Sequence, residues 1–215
     1  MIIGGFQKFS LLDYPGKISS IIFTQGCDFN CVYCHNKDLI RQKEYNNFIK
    51  PEQILAFLSE RWQKVDAVVI TGGEPTIQPD LVDFMKKIKK LKLLVKLDTN
   101  GSHPDVIKKA IEARAVDYIA MDIKAPLEKY WLVTNVSVNP KNIQESINII
   151  KSSGIRHEFR TTVLKSLLDE TDLDKIKAIV GEDQLYLQKC NYPGQENYTE
   201  EEFVKLTIDL NCGLR

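Results

Sequence analysis

Six short apolar runs alternate with amphipathic segments along nearly the whole chain, and this alternation limits the fold more than any other feature. The runs are Ile18 to Thr24, Ala67 to Thr71, Leu93 to Asp98, Tyr118 to Asp122, Phe159 to Val163 and Gln184 to Gln188. Each is short, apolar and bounded by polar or glycine-containing segments, so each predicts a buried strand. Between them, apolar residues recur at helical spacing. Ile54, Leu55, Leu58 and Trp62 share one face between Pro51 and Lys64. Leu81, Phe84, Met85 and Ile88 follow, then Val106, Ile107, Ala110 and Ile111. Ile143, Ile147 and Ile150 mark a helix closed by Gly154. Leu173, Ile176 and Ile179 give the next, and Phe203, Val204, Leu206 and Leu210 the last. Pro51 stands at a helix start, where its missing N–H costs nothing. Only the stretch from Lys124 to Asn139 reads as irregular.

Strands separated by helices imply a parallel sheet covered by helices, an α/β fold. Six units fall short of the eight that close a barrel, which leaves a partial barrel or an open doubly wound sheet. In either, ligands collect at the carboxyl ends of the strands. The 215 residues suit one domain spanning 1–215, and no repeat, low-complexity tract or linker interrupts them.

The strand ends bear this out in their composition. The first run leads into Gln25-Gly26-Cys27-Asp28-Phe29-Asn30-Cys31-Val32-Tyr33-Cys34-His35-Asn36. The second ends in Thr71-Gly72-Gly73-Glu74-Pro75, the third in Asp98-Thr99-Asn100-Gly101 and the fourth in Met121-Asp122-Ile123-Lys124. The fifth carries Arg160. Gly72 and Gly73, lacking Cβ atoms, let the backbone approach a ligand closely; a tight strand-to-helix turn uses the same pair. Glu74 would accept a hydrogen bond from an ammonium group. Asp98, Thr99 and Asp122 offer oxygens to a bound cation or to ribose hydroxyls, although Asp before Thr-Asn-Gly also makes a good turn. Lys124 would pair with a carboxylate or phosphate, or lie exposed in a loop.

The start of the chain, Met1-Ile2-Ile3-Gly4-Gly5, has neither a basic nor an apolar leader region, which places the expected compartment in the cytoplasm. Five cysteines in a reducing compartment point to metal or redox chemistry rather than disulfides. A formal net charge of zero and the lack of a long apolar run argue against nucleic acid and membrane as partners. Lys86, Lys87, Lys89, Lys90 and Lys92 read as a solvated helix face.

Cys27, Cys31 and Cys34 supply three thiolates where a cubane iron–sulfur cluster normally takes four, so one iron would stay open to an outside ligand. Two other readings compete. Cys31-Val32-Tyr33-Cys34-His35 matches the haem-attachment spacing, which requires export. The three cysteines with His35 form a Cys3His zinc set, although structural zinc sites usually draw on two separated ligand pairs. Phe29 and Tyr33 would shield a cluster, stack on a ring or simply pack the loop. His35 would tune a cluster by donating to a sulfur, whereas His103 and His157 read as structural. Cys190 and Cys212 lack paired spacing and read as ordinary thiols.

Cys27, Cys31 and Cys34 with Phe29 and Tyr33 resemble the CxxxCxΦC signature of radical S-adenosylmethionine (SAM) enzymes, in which Φ is aromatic. Gly72-Gly73-Glu74-Pro75 resembles their GGEP motif. The likeness covers nearly the whole chain and implies a partial (β/α)6 TIM-like barrel of parallel strands with outer helices. It implies that the three cysteines bind a [4Fe–4S] cluster whose fourth iron takes the amino and carboxylate groups of SAM. It further implies that Gly72, Gly73 and Glu74 hold the methionine moiety. Asp98, Thr99, Asp122, Lys124 and Arg160 would then bind the cofactor or a cation near its sulfonium, with Tyr33 beside it.

Leu12-Asp13-Tyr14-Pro15-Gly16, Thr24-Gln25-Gly26-Cys27, Tyr33-Cys34-His35-Asn36, Asp98-Thr99-Asn100-Gly101 and Met121-Asp122-Ile123-Lys124 are more narrowly similar to the glycyl-radical-enzyme activases. The likeness is greatest to those of anaerobic ribonucleotide reductases and more distant to pyruvate formate-lyase activase. This implies reductive cleavage of SAM to a 5′-deoxyadenosyl radical and hydrogen abstraction from a glycine of a partner enzyme. An external one-electron donor such as flavodoxin or ferredoxin is implied with it. A radical SAM enzyme acting on a small metabolite, such as a 7-carboxy-7-deazaguanine synthase, would share these residues. A non-catalytic iron–sulfur or zinc module is the reading from another class. Two departures stand out. No cysteine lies between Cys34 and Gly72, so auxiliary clusters are not expected. The sixth strand reads Leu187-Gln188-Lys189-Cys190-Asn191, where pyruvate formate-lyase activase has a cofactor-contacting histidine. The last barrel unit looks truncated.

Overall fold

A computed structural model describes residues 1–40, 48–61 and 63–214. Its strands are β1 (Ile3–Ser10), β2 (Ser19–Thr24), β3 (Ala67–Gly72), β4 (Leu94–Thr99), β5 (Tyr118–Asp122), β6 (Arg156–Val163), β7 (Leu185–Lys189) and β8 (Gly213–Leu214). Its helices are α1 (Lys37–Ile40), α2 (Pro51–Glu60), α3 (Leu81–Lys90), α4 (Pro104–Glu112), α5 (Tyr130–Thr134), α6 (Pro140–Ser152), α7 (Glu170–Val180) and α8 (Glu200–Asp209). Trp62, expected on the face of α2, lies outside the described residues.

The strands form one sheet in the order β1 to β8, parallel from β2 onward, with β1 antiparallel on the outer edge of β2. The edge strands β1 and β8 do not pair, so the sheet is not closed. The expected parallel α/β architecture is therefore present as an unclosed barrel-like sheet. Four elements were not legible. β1 and the two-residue β8 carry no run of apolar residues, and α1 and α5 are too short to show a helical period. Helix α2 ends at Glu60, short of the expected Lys64.

The sheet has two unlike faces. Val68, Ile70, Val95, Leu97, Ile119, Met121 and Phe159 face the helices and join Leu58, Leu81, Met85, Ile107, Ile147 and Ile176 in the main core. The concave face holds a separate, smaller cluster of Tyr14, Ile21, Ala67, Val69, Tyr118 and Ala120. Tyr14 enters it from the 11–18 loop, which closes the end of the sheet opposite the strand carboxyl ends. It is fully buried, packs on Tyr118 at 5.7 Å between ring centroids, and accepts from Arg156 Nη2 at 2.9 Å. Among the described residues no helix is long and apolar enough to cross a membrane.

Candidate cluster and cofactor site

The carboxyl ends of β2 to β7 surround a cavity of about 430 Å3. Cys27, Cys31 and Cys34 all line it, on the loop that leaves β2; Cys190 and Cys212 do not. The loop is braced from behind by α5, inside the stretch that reads as irregular. Asn30 N donates to Thr134 O and Val32 N to Val133 O, each at 3.0 Å, and Phe29 meets the Tyr130 ring edge-on at 6.4 Å. Cys34 N donates to Cys31 O at 3.1 Å, which turns the loop between those two thiols.

Burial, and after it the Glu74 carboxylate, pushes the Cys27 thiol pKa up to about 12, and burial raises that of Cys31 as well. A metal that binds here must displace these protons. The Phe29 amide already points at Cys27 Sγ at 3.4 Å, the kind of N–H to sulfur contact that supports a ligating thiolate. Among the described residues no three His, Cys, Asp or Glu side chains converge on a single metal ion. Three thiols on one loop around one cavity, with no second separated ligand pair beside them among the described residues, match the corners of an iron–sulfur cluster better than the paired ligands of a structural zinc site. His35, the fourth member of the zinc reading, is exposed although it borders the cavity.

Gly72 and Gly73 are demanded by neighbouring backbone. A Cβ on Gly73 would lie 2.0 Å from Gly26 O, and one on Gly72 would lie 2.5 Å from Thr24 N, with φ at +111°. The strand-to-loop segments cross so closely that Gly73 N bonds Thr24 O at 2.9 Å and Glu74 N bonds Gly26 O at 2.8 Å.

Glu74 does not present a free carboxylate to an ammonium group. Its Oε1 accepts from Thr76 N at 3.0 Å, from the Thr76 hydroxyl and from Thr99 Oγ1 at 2.7 Å, while Oε2 accepts from Asn100 N at 2.7 Å. Burial raises its pKa against the pull of these bonds. Glu74 thus ties the end of β3 to the end of β4. Glu74→Gln would turn one oxygen into an NH2 facing a donor. A buried donor pair without an acceptor costs about 1–3 kcal/mol. The variant is expected to melt roughly 2–12 °C lower, measured by circular dichroism.

Asp98, Asp122, Lys124 and Arg160 form one ion-paired group. Lys124 Nζ meets Asp122 Oδ2 at 3.0 Å, Arg160 Nε meets Asp122 Oδ1 at 2.8 Å, and Arg160 Nη1 meets Asp98 Oδ2 at 3.2 Å. Lys96 Nζ meets Asp98 Oδ1 at 3.2 Å. Burial alone would raise the Asp122 carboxyl, but Arg160 and Lys124 outweigh it and hold it well below the usual carboxylate range. Asp98, Thr99 and Asp122 are among the groups that the sequence assigns to the cofactor or a cation. Both aspartates face protein cations, and the Thr99 hydroxyl donates to Glu74.

Among the described residues, two buried polar atoms of the cavity wall lack an aligned hydrogen bond: the Tyr33 hydroxyl, and Asp98 Oδ1, which Lys96 approaches only as an ion pair. They await groups such as the amino, carboxylate or hydroxyl functions of a polar ligand. The donor set and these atoms fit a cluster with SAM beside it. Sequence reasoning missed Asn100, whose Nδ2 donates to Asp28 Oδ1 at 2.9 Å and lies 4.0 Å from Cys27 Sγ. It also missed Thr162, Gln188 and Lys189, which line the cavity from β6 and β7. Gln188 occupies the strand where a histidine is absent. Of the histidines, His103 Nε2 lies 3.3 Å from Asp28 Oδ2, and His157 Nε2 pairs with Asp183 at 3.2 Å.

Comparison with known proteins agrees with this arrangement. Residues 21–179 match the family model described as the radical SAM superfamily. The chain is 33% identical, over all of its length and 89% of the other, to a Methanocaldococcus jannaschii protein named "Putative glycyl-radical enzyme activating enzyme". It is 25% identical to the pyruvate formate-lyase-activating enzyme of Clostridium pasteurianum, over 79% of this chain and 71% of that one. In fold it is similar to Streptococcus suis SuiB bound to S-adenosylmethionine, with a TM-score of 0.72 at 14% identity over 91% of this chain and 49% of that one. The chain belongs to the radical SAM superfamily, whose enzymes pair a [4Fe–4S] cluster with S-adenosylmethionine.

Proposed function

We propose that this protein is a glycyl-radical-enzyme activating enzyme, that its partner is an anaerobic ribonucleotide reductase, and that it works in the cytoplasm as a single domain with flavodoxin or ferredoxin as electron donor. The observation that carries the activase reading is the 33% identity over the full chain to a relative of that name. The narrower motif likeness, including Leu12-Asp13-Tyr14-Pro15-Gly16, supports the choice of partner.

When bound, the cluster and SAM would supply the reductive cleavage and hydrogen-abstracting radical chemistry that making a glycyl radical requires. The protein supplies place and shelter. Cys27, Cys31 and Cys34 hold the cluster. Tyr33 offers its unsatisfied hydroxyl to SAM, Asp98 lines the cavity with its oxygens paired to Lys96 and Arg160, and Lys124 offers a cation to the SAM carboxylate. Gly72, Gly73, Glu74, Thr99, Asp122 and Arg160 fix the wall against which SAM rests. Phe29 lines the cavity and keeps water from the reacting atoms. The cavity reaches Gln188 and Lys189 on β7, next to the unclosed edge of the sheet, which leaves a side through which a partner's peptide loop can enter.

The test is anaerobic incubation of the reconstituted protein with SAM, a reductant and a candidate ribonucleotide reductase. A glycyl doublet in the electron paramagnetic resonance spectrum of the partner is expected. SAM cleavage that never yields a doublet in any glycyl-radical enzyme, but converts a small molecule, would overturn the activase reading.

A further inference from the structure

The concave face of the sheet carries a buried ring of four charges, of which two, Lys96 and Glu158, have no part in the function proposed above. Lys96 and Asp98 lie two apart on β4, and Glu158 and Arg160 two apart on β6. The strand between them, β5, places Ala120 opposite both Asp98 and Glu158. Because Ala120 projects only a methyl group, side chains from β4 and β6 can meet across it. Lys96 Nζ lies 3.2 Å from Asp98 Oδ1 and 3.8 Å from Glu158 Oε1. Arg160 Nη1 lies 3.2 Å from Asp98 Oδ2 and 4.0 Å from Glu158 Oε1, which closes the ring. Lys96 and Glu158 are each only 1% exposed. Lys96 also donates to Asp13 O at 2.7 Å, and Glu158 accepts from Tyr118 Oη at 2.9 Å.

The ring has an upper and a lower half. Asp98 and Arg160 line the cavity; Lys96 and Glu158 do not, so they touch the ligand only through the other two. Burying an ammonium in a sheet is costly unless something holds it in place. Here three oxygens, from Asp98, Asp13 and Glu158, surround one nitrogen, much as oxygens surround a coordinated metal ion.

We infer that Lys96 is a built-in counter-cation of the cofactor cavity: held by Glu158 and Asp13, it fixes Asp98 and Arg160 beneath the ligand and takes the place of a bound metal ion. Lys96 and Glu158 are thereby positioning residues. The inference rests on the reading that the cavity takes SAM.

The test measures SAM affinity calorimetrically, under anaerobic conditions, on the reconstituted full-length protein in choline, potassium or ammonium chloride. Wild type is expected to bind SAM equally, within about twofold, in all three salts. Lys96→Met should bind at least about tenfold more weakly in choline and recover at least about threefold in potassium or ammonium. The double variant Lys96→Met/Glu158→Gln keeps the net charge of the ring and should fold, yet bind SAM about tenfold more weakly in every salt. If the double variant binds SAM as wild type does, the pair only stabilises the fold and the inference fails. It fails equally if Lys96→Met folds but shows no gain from either ion. A wild type whose affinity rises more than about threefold with potassium overturns it without any variant. Wild type that binds no SAM in any salt would instead refute the assignment of the cavity.

Discussion

Cys31→Ala is expected to strip the protein of its iron–sulfur cluster and to reduce cleavage of SAM to background. Cys31 is the middle thiol of the three that line the cavity, is 8% exposed, and sits on a loop tied to α5 by the amides on either side of it. Its loss leaves two thiols, too few to hold a cubane against dissociation. Cys190 cannot substitute, because it is buried at the end of β7 outside the cavity wall. Iron and sulfide analysis after anaerobic reconstitution should fall from about four of each per chain to less than about one. Cys190→Ala, measured beside it, should retain the full complement. A Cys31→Ala protein that still carries four irons would mean that the ligand assignment is wrong.

Gly73→Ala is expected to cost a large share of the fold's stability. The added methyl carbon would sit 2.0 Å from Gly26 O and 2.7 Å from Gly26 C, both backbone atoms that cannot rotate away. Relief requires parting the segments that follow β2 and β3, which breaks the bond from Glu74 N to Gly26 O. Overpacking of this kind costs upwards of about 3 kcal/mol, or roughly 6–12 °C of melting temperature in a chain of this size. Gly16→Ala gives the contrast. Gly16 has φ at +69° and no atom within 4 Å of the point a methyl carbon would occupy, so its cost is conformational alone, about 1–2 kcal/mol. Thermal unfolding of the two variants side by side separates collision from backbone preference. Equal melting temperatures would show that the two loop segments can move apart freely.

The strands that carry the main core were legible because their outward residues are apolar and their ends are polar. The run from Tyr118 to Asp122 coincides with β5, and those for β3 and β4 agree to within one residue. Strand β1 escaped because only Ile3 and Ser10 are buried along its eight residues, as befits an edge strand with water on both sides. Motif residues at strand ends were brought to one cavity, Arg160 included. What the motifs could not convey was the job of each. Glu74 reads as a ligand group, and the structure adds that hydrogen bonds from Thr76, Thr99 and Asn100 fix it at the cavity wall. Asp98 and Asp122 read as oxygens for the cofactor or a cation, and the structure adds that each also pairs with a protein cation, Lys96 and Arg160 respectively. Arg160 lies on β6, 38 residues from Asp122 and 62 from Asp98, so no local pattern links it to either, whereas Lys96 stands only two positions from Asp98 on β4. One signal was present and overlooked. Lys96 interrupts the apolar run of β4 at a position whose neighbours Val95 and Leu97 face the helices, which forces its side chain inward; Glu158, which precedes the apolar run on β6, gave no such signal.

The split between the two faces of the sheet makes the strands behave like a comb. Exhaustive substitution along Leu94–Thr99 would record wide acceptance of other aliphatic residues at Val95 and Leu97, set against near-total rejection at Lys96 and Asp98. Selection for altered reactivity can therefore reshape the helical jacket through one set of teeth while the charged lining, on the alternate set, is inherited intact.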